Sequence, residues 1–369
     1  MERSWRHFDP QLLVAAVALT AFGLAMIHSA TRAAAATDPR LLDLPVARQA
    51  IYAAAALAVI PLLTRFDYRI LGMAAPAIYA AAIGLLVVVL FLAPTIYGSR
   101  RWLDLPLIPI QPSEIAKLAL AIMLAKYLAD QREGIRRPLI LATTLAIAGV
   151  LAILVFLQPD AGTSLIFGAI WLGTVTMAGA RPLHLGAIVG ASGVVLLLLQ
   201  GIIVRPYMLA RLAASLNPTS DPLGVGYNIL QSEISVGSGG LLGKGYVQGT
   251  QTQLNFLRVQ STDFIFSVLG EELGFVGAIV LFALYIWLLM RGLRAAMLAR
   301  DEFGRFLAVG IVTLILAQAF LNISVNVRLL PVTGVPLPFI SYGGSSLVTL
   351  LLCVGILESI VVRHKKLEF

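Results

Sequence analysis

Three carboxylates stand where apolar stretches begin: Glu114 in Gln111-Pro-Ser-Glu, Asp160 in Gln158-Pro-Asp, and Asp263 in Ser261-Thr-Asp. Each could do acid–base work, and each has a plainer use. Glu114 and Lys117 are three apart on one helical face, so they could form a private ion pair or line a site. Asp160 could simply cap the helix that follows it. Asp263 is harder to dismiss, because Ser261 or Thr262 alone would satisfy the cap. The helix N-terminus favours its charged form, while partial burial pushes its pKa toward the neutral range where a general base works best. Asp263, Ser267 and Glu271 recur every four residues on one face, with Glu272 beside them.

Cations accompany these acids. Arg48, Arg101, Arg205, Arg211 and Lys244 all lie near the ends of apolar runs. Guanidinium forks match phosphate oxygens, so several around one cavity would suit an anionic diphosphate; singly, each could be a headgroup anchor. Gly239 to Gly245 (GGLLGKG) superficially looks like a phosphate loop. It lacks the Ser/Thr after lysine and the strand–helix setting, which excludes a nucleotide site of that kind.

The elements that must position these residues are membrane helices. Of the 369 residues 59% are hydrophobic and 12% charged, with mean hydropathy +0.90. Soluble chains carry about 25% charge. The net charge of +8 needs no nucleic acid, since membrane proteins gather Lys and Arg in cytoplasmic loops. A lone cysteine, Cys353, and four scattered histidines offer no disulfide and no protein-built metal centre.

Apolar runs of about 20 residues, enough to cross ~30 Å of hydrocarbon, occur at 11–29, 46–63, 70–92, 112–129, 138–157, 163–177, 185–203, 264–290, 306–325 and 345–362. The expectation is an all-α polytopic membrane protein of about ten spans, a single domain over residues 1–369. The even count puts both termini on one side, and the loops on that side are short and densely basic, which marks it as cytoplasmic. A large outward loop, residues 206–262, then separates the seventh and eighth spans. Its prolines and glycines imply tight turns rather than helix, except for one short amphipathic helix from Tyr227 to Val236.

The motifs together resemble the SEDS family of RodA, FtsW and the sporulation homologue. They are Gly98-Ser-Arg-Arg-Trp102 with Gln111-Pro-Ser-Glu-Ile-Ala-Lys117; Gln158-Pro-Asp-Ala-Gly-Thr163; Gly226-Tyr227 through Gly240; Thr262-Asp-Phe-Ile-Phe266 with Glu271-Glu-Leu-Gly274; and Pro331 through Ser346, which includes Ser341. They run in family order along nearly the whole chain. Leu257-Arg-Val-Gln-Ser261 departs from the Leu-Pro-Glu-type segment usual there.

The resemblance, closest to RodA, implies a peptidoglycan glycosyltransferase of the bacterial inner membrane. It would polymerise lipid II into glycan strands during elongation, with inversion and release of undecaprenyl diphosphate. Asp263 is the implied base, and Glu114, Lys117, Asp160, Ser341 and the five cations the implied substrate contacts. A divalent cation (Mg or Mn) would enter on the substrate diphosphate rather than in a cage built by the protein. A class B penicillin-binding protein, the cross-linking transpeptidase, is the implied partner. The rival readings are a lipid II flippase and a non-catalytic scaffold for that transpeptidase.

Overall fold

The computed structural model describes residues 7–35, 45–93, 101–104, 109–131, 137–198, 201, 206–220, 224–257 and 259–364. The chain is mostly helical. Helices α1 (Pro10–Ala35), α2 (Pro45–Arg65) and α3 (Arg69–Leu92) are followed by a two-residue antiparallel hairpin, β1 (Leu103–Asp104) with β2 (Pro109–Ile110). Then come α4 (Pro112–Gln131), α5 (Pro138–Leu157), α6 (Ala161–Met177) and α7 (Pro182–Leu198). Three shorter helices follow, α8 (Pro206–Leu216), α9 (Val225–Ser238) and α10 (Thr250–Gln253), before α11 (Ile265–Leu298), α12 (Glu302–Asn326) and α13 (Gly344–Val362). Proline opens α1, α2, α4, α5, α7 and α8, where its missing N–H costs nothing and its fixed φ suits the first turn.

Among the described residues, seven helices, α1–α3, α5 and α11–α13, are long and apolar enough to cross a membrane. The sequence reading expected about ten. Among the rest, α4 is long enough at 20 residues but carries Glu114, Lys117, Lys126 and Asp130. The 17 residues of α6 are apolar but short for a perpendicular crossing, and α7 is described over 17 apolar residues, up to Leu198. Helices α4, α12 and α13 hold the buried centre. Around them α2 packs on α13, α3 on α4, α6 on α12 and α5, and α1 on α11.

The segment before α11 is more helical than its glycine and proline content suggested. The expected amphipathic helix is present as α9, and α8 was not anticipated. Its signal was the Tyr207–Leu216 run of Leu, Ala, Met and Arg, good helix formers following Pro206 at the first position. Beyond α9 the chain folds back against α11. Gly274, inside α11, has φ +64° and breaks the helix. There Phe275 and Val276 donate N–H to the carbonyls of Gly240 and Leu241, and Lys244 and Gly245 donate to those of Glu271 and Glu272, all at 3.0 Å. The loop thus supplies the partners that the interrupted ladder lacks.

Candidate active site

Asp263 lies just ahead of α11, partly buried. Its backbone carbonyl accepts from Asn322 Nδ2 at 3.0 Å and from Asn326 Nδ2 at 2.9 Å. Both amides come from α12, four residues apart, so they reach the same point from one helical face. Asn326 Oδ1 also accepts from Ser267 N (3.1 Å) and Oγ (2.6 Å), and Asn322 Nδ2 donates to Val335 O at 2.8 Å. One pair of side chains therefore ties α12 to the start of α11 and to the 331–343 loop.

That loop forms the opposite wall. Ser341 Oγ donates to Thr262 O at 2.5 Å and accepts from Leu337 N, while Tyr342 N donates to Ser261 O. Gln49 of α2 holds its far side, donating to Ser341 O and accepting from Gly343 N. Neighbouring Arg48 hydrogen-bonds Tyr342.

Two guanidinium groups face the carboxylate. At Gly334, whose φ is +74°, an added methyl carbon would sit 3.8 Å from both Arg101 Nη1 and Asp263 Oδ2. Arg101 is aimed by Gln158 O at 3.2 Å and by Pro159 O, and its Nη1 is 3.7 Å from Asp160 Oδ2. Arg211 of α8 donates to Val332 O at 3.1 Å and lies over the Tyr207 ring. Asp160 does cap α6, its Oδ1 accepting from Thr163 N, and presents its other oxygen to Arg101. The capping and cluster readings of Asp160 are both present in one side chain.

Burial pushes the Asp263 carboxyl above its usual range, with the Asp160 charge adding to the rise. Arg211, Arg101 and a hydrogen bond from Thr262 pull the other way. Arg211 is itself pushed down, first by burial and then by the like charge of Arg101. A partly buried carboxylate beside two cations has the ingredients of a base that works next to an anionic group.

The remaining candidates fall elsewhere. Lys117 Nζ bonds Glu114 Oε1 at 2.9 Å and Gln318 Oε1 at 2.8 Å, all three fully buried. Glu114 Oε2 and Ser113 Oγ have no partner among the described residues. Gln318 Nε2 reaches Pro336 O, which joins this pair to the loop walling Asp263. Lys244 is engaged by Glu271 Oε1 (2.8 Å) and Thr250 Oγ1 (2.9 Å). Glu271 is further held by Gln251 N and by Thr252 N and Oγ1, and Glu272 by Ser29 and Val247 N. Of the Asp263, Ser267 and Glu271 face, only Asp263 joins the cation cluster. Arg205 lies outside the described residues. The sequence reading missed Gln49, Gln318, Asn322, Asn326 and Gly334. The two asparagines could have been noticed as amides in an apolar run, where an unpaired amide is costly.

The model of the Cell cycle protein family FTSW_RODA_SPOVE matches residues 10–366. The chain belongs to the FtsW/RodA/SpoVE family. Among curated members, the peptidoglycan glycosyltransferase MrdB of Escherichia coli (strain K12) is 38% identical, over 98% of this chain and 95% of that protein. A solved chain from work on the structural coordination of polymerization and crosslinking by a peptidoglycan synthase complex superposes with TM-score 0.81. It is 30% identical, covering 97% of this chain and 99% of that one. The rod shape determining protein RodA of Thermus thermophilus gives TM-score 0.70 at 29% identity, with 96% of each chain covered. The SEDS membership expected from the motifs is thereby established, and with it a multi-pass membrane protein.

Proposed function

We propose that this chain is a peptidoglycan glycosyltransferase that polymerises lipid II in the bacterial inner membrane during cell elongation. Its relatives' names support the activity, and the Asp263–Arg101–Arg211 cluster over Gly334 is the observation that carries the assignment of the site. Asp263 takes the proton of the attacking 4-hydroxyl of the acceptor sugar as oxygen bonds to the donor's anomeric carbon with inversion. The bond to the undecaprenyl diphosphate breaks, and its electrons leave on the diphosphate.

Arg101 and Arg211 meet that developing charge, and general-base help of this kind is worth about 10²–10⁴ in rate. Arg48 extends the cationic surface toward the headgroup, and Arg205, outside the described residues, is a further substrate contact implied by the sequence. Ser341 holds the Thr262 carbonyl and so the approach to Asp263. Glu114 and Lys117 would act on the substrate site through Gln318, which holds Pro336 O in the loop walling Asp263, and the Asp160 edge offers a polar contact for sugar or peptide. Lys244 acts at one remove, by fixing the loop against α11. A Mg²⁺ or Mn²⁺ would ride on the substrate's own oxygens. No cluster of three metal-ligating side chains occurs among the described residues.

In this reading the chain crosses the membrane ten times, α4, α6 and α7 included, with both termini cytoplasmic and the Asp263 end outward. The solved peptidoglycan synthase complex supports a cross-linking partner, a class B penicillin-binding protein. The decisive assay is lipid II polymerisation by purified protein, with and without that partner. Asp263→Asn should lose glycan synthesis while still folding. A flippase would instead translocate lipid II and never polymerise it, and a scaffold would show no activity of its own to lose. Normal polymer from pure Asp263→Asn would end the assignment.

A further inference from the structure

The end of the bundle opposite Asp263 holds a cavity of about 400 Å³ between the start of α1 and the last turns of α11 and α13. Its lining includes His7, Asp9, Arg291, Arg294, Leu298 and His364. The one acid on that wall is already neutralised. Asp9 Oδ2 takes Arg291 Nε at 2.9 Å together with Nη2, and Oδ1 accepts from Gln11 N at 3.2 Å. Glu358, beneath, is fully buried, accepts from Asp9 N, and does not line the space.

The other ionisable groups lining the cavity are basic. Arg294 is exposed and makes no ion pair among the described residues. The His7 and His364 rings meet edge to face at 4.5 Å. His364 Nδ1 is 2.9 Å from Val361 O, and a carbonyl can only accept, so the proton is on Nδ1; Nε2 then holds the lone pair of the neutral ring and donates to an oxyanion once the ring carries a second proton. Leu298 and Val361 add an apolar wall beside these polar groups. A guanidinium with no acid partner among the described residues, a second one held by Asp9, and two imidazoles in a space of ligand size suit a compact anion with an apolar attachment.

We propose that this pocket binds a phosphate oxyanion, the chemistry shared by the headgroup of an anionic phospholipid and by a soluble phosphate. Cationic pockets between membrane helices take lipid headgroups in this way. The site is separate from the Asp263 cluster and does not depend on the reaction assigned there.

The test uses the full chain, purified and delipidated, then exposed to phosphatidylglycerol or phosphatidylcholine and weighed by native mass spectrometry. Phosphatidylglycerol should be retained in preference, and Arg294→Gln/His364→Gln should cut that retention about tenfold, the equivalent of one lost charge-assisted contact. Arg300→Gln, an exposed basic residue of the same end outside the lining, should change nothing. A second arm adds inorganic phosphate to lipid-free protein. A rise in Tm that the double variant lacks assigns the site to a soluble phosphate, and phosphatidylglycerol retention without that rise assigns it to lipid. Equal retention by native and double-variant protein with no phosphate effect, or equal losses in the double variant and Arg300→Gln, overturns the proposal. Should the double variant melt early, Arg294→Gln alone carries the comparison, its side chain being exposed.

Discussion

The carboxamide of Asn326 donates to the backbone carbonyl of Asp263 at 2.9 Å while its oxygen accepts from Ser267 N and Oγ. One side chain thus fixes both the residue ahead of α11 and the first turn of that helix. Asn326→Asp keeps the acceptor but sets an oxygen against the Asp263 carbonyl. Turnover on lipid II should fall while apparent affinity holds, because the group moves the base rather than touching substrate, and a shift of about 1 Å can cost 10²-fold. A Km change with unaltered kcat would contradict that role.

Asp263 itself should set the acid limb of activity. Its carboxyl is held above the ordinary carboxylate range, chiefly by burial, and only the deprotonated form accepts a proton. Rates should therefore decline on acidification at a pH higher than an unperturbed aspartate, near 3.9, would give. The stability consequence has the opposite sign. A raised folded pKa means that the charged form is disfavoured by folding, and the stability present in acid is lost as pH rises through that value. Asp263→Asn should consequently melt no lower than the native protein at neutral pH, as a thermal scan in detergent would record.

Glu114 and Lys117 should behave as one unit. Removing a single partner of a buried pair strands the other charge, typically at about 3–5 kcal/mol. Lys117→Met should lower Tm markedly, and Glu114→Gln/Lys117→Met should recover much of the loss. Additive effects in that double-mutant cycle would mean that the two groups are not coupled in the fold.

Gly334 carries two demands. Its positive φ disfavours any L side chain by about 1–2 kcal/mol. A methyl there would also enter the space that Arg101 Nη1 and Asp263 Oδ2 share. Gly334→Ala should cost polymerisation more than its modest drop in Tm explains, as parallel activity and melting measurements would reveal.

Sidedness is open to direct labelling. Ser238 closes α9 and is exposed, whereas Cys353 is buried. Ser238→Cys in a Cys353→Ser background should react with an impermeant thiol reagent on intact spheroplasts. Reaction only after lysis would reverse the proposed orientation.

Much of this architecture was legible in the sequence because apolar length and proline placement are local signals. Starts such as Pro112 and Pro138 are written in single residues. Asp263, Asp160 and Arg101 stood out because charge is conspicuous against an apolar background. Other features depend on pairing across the chain, which spacing alone does not encode. Lys244 has the same composition signal as Arg211, yet Glu271, 27 residues away, takes its ammonium. Asn322 and Asn326 carry no sequence signal of their role, because the Asp263 carbonyl they hold lies some 60 residues earlier. Helix α8 was hidden by the glycines and prolines around it.

The break at Gly274 bears on how the chain is made. Phe275 and Val276 have their N–H groups answered by Gly240 and Leu241, which belong to a segment synthesised earlier. A nascent α11 entering the membrane with that segment displaced would carry two amides that lipid cannot solvate. The order of translation resolves the difficulty, since residues 239–245 leave the ribosome before the helix they complete.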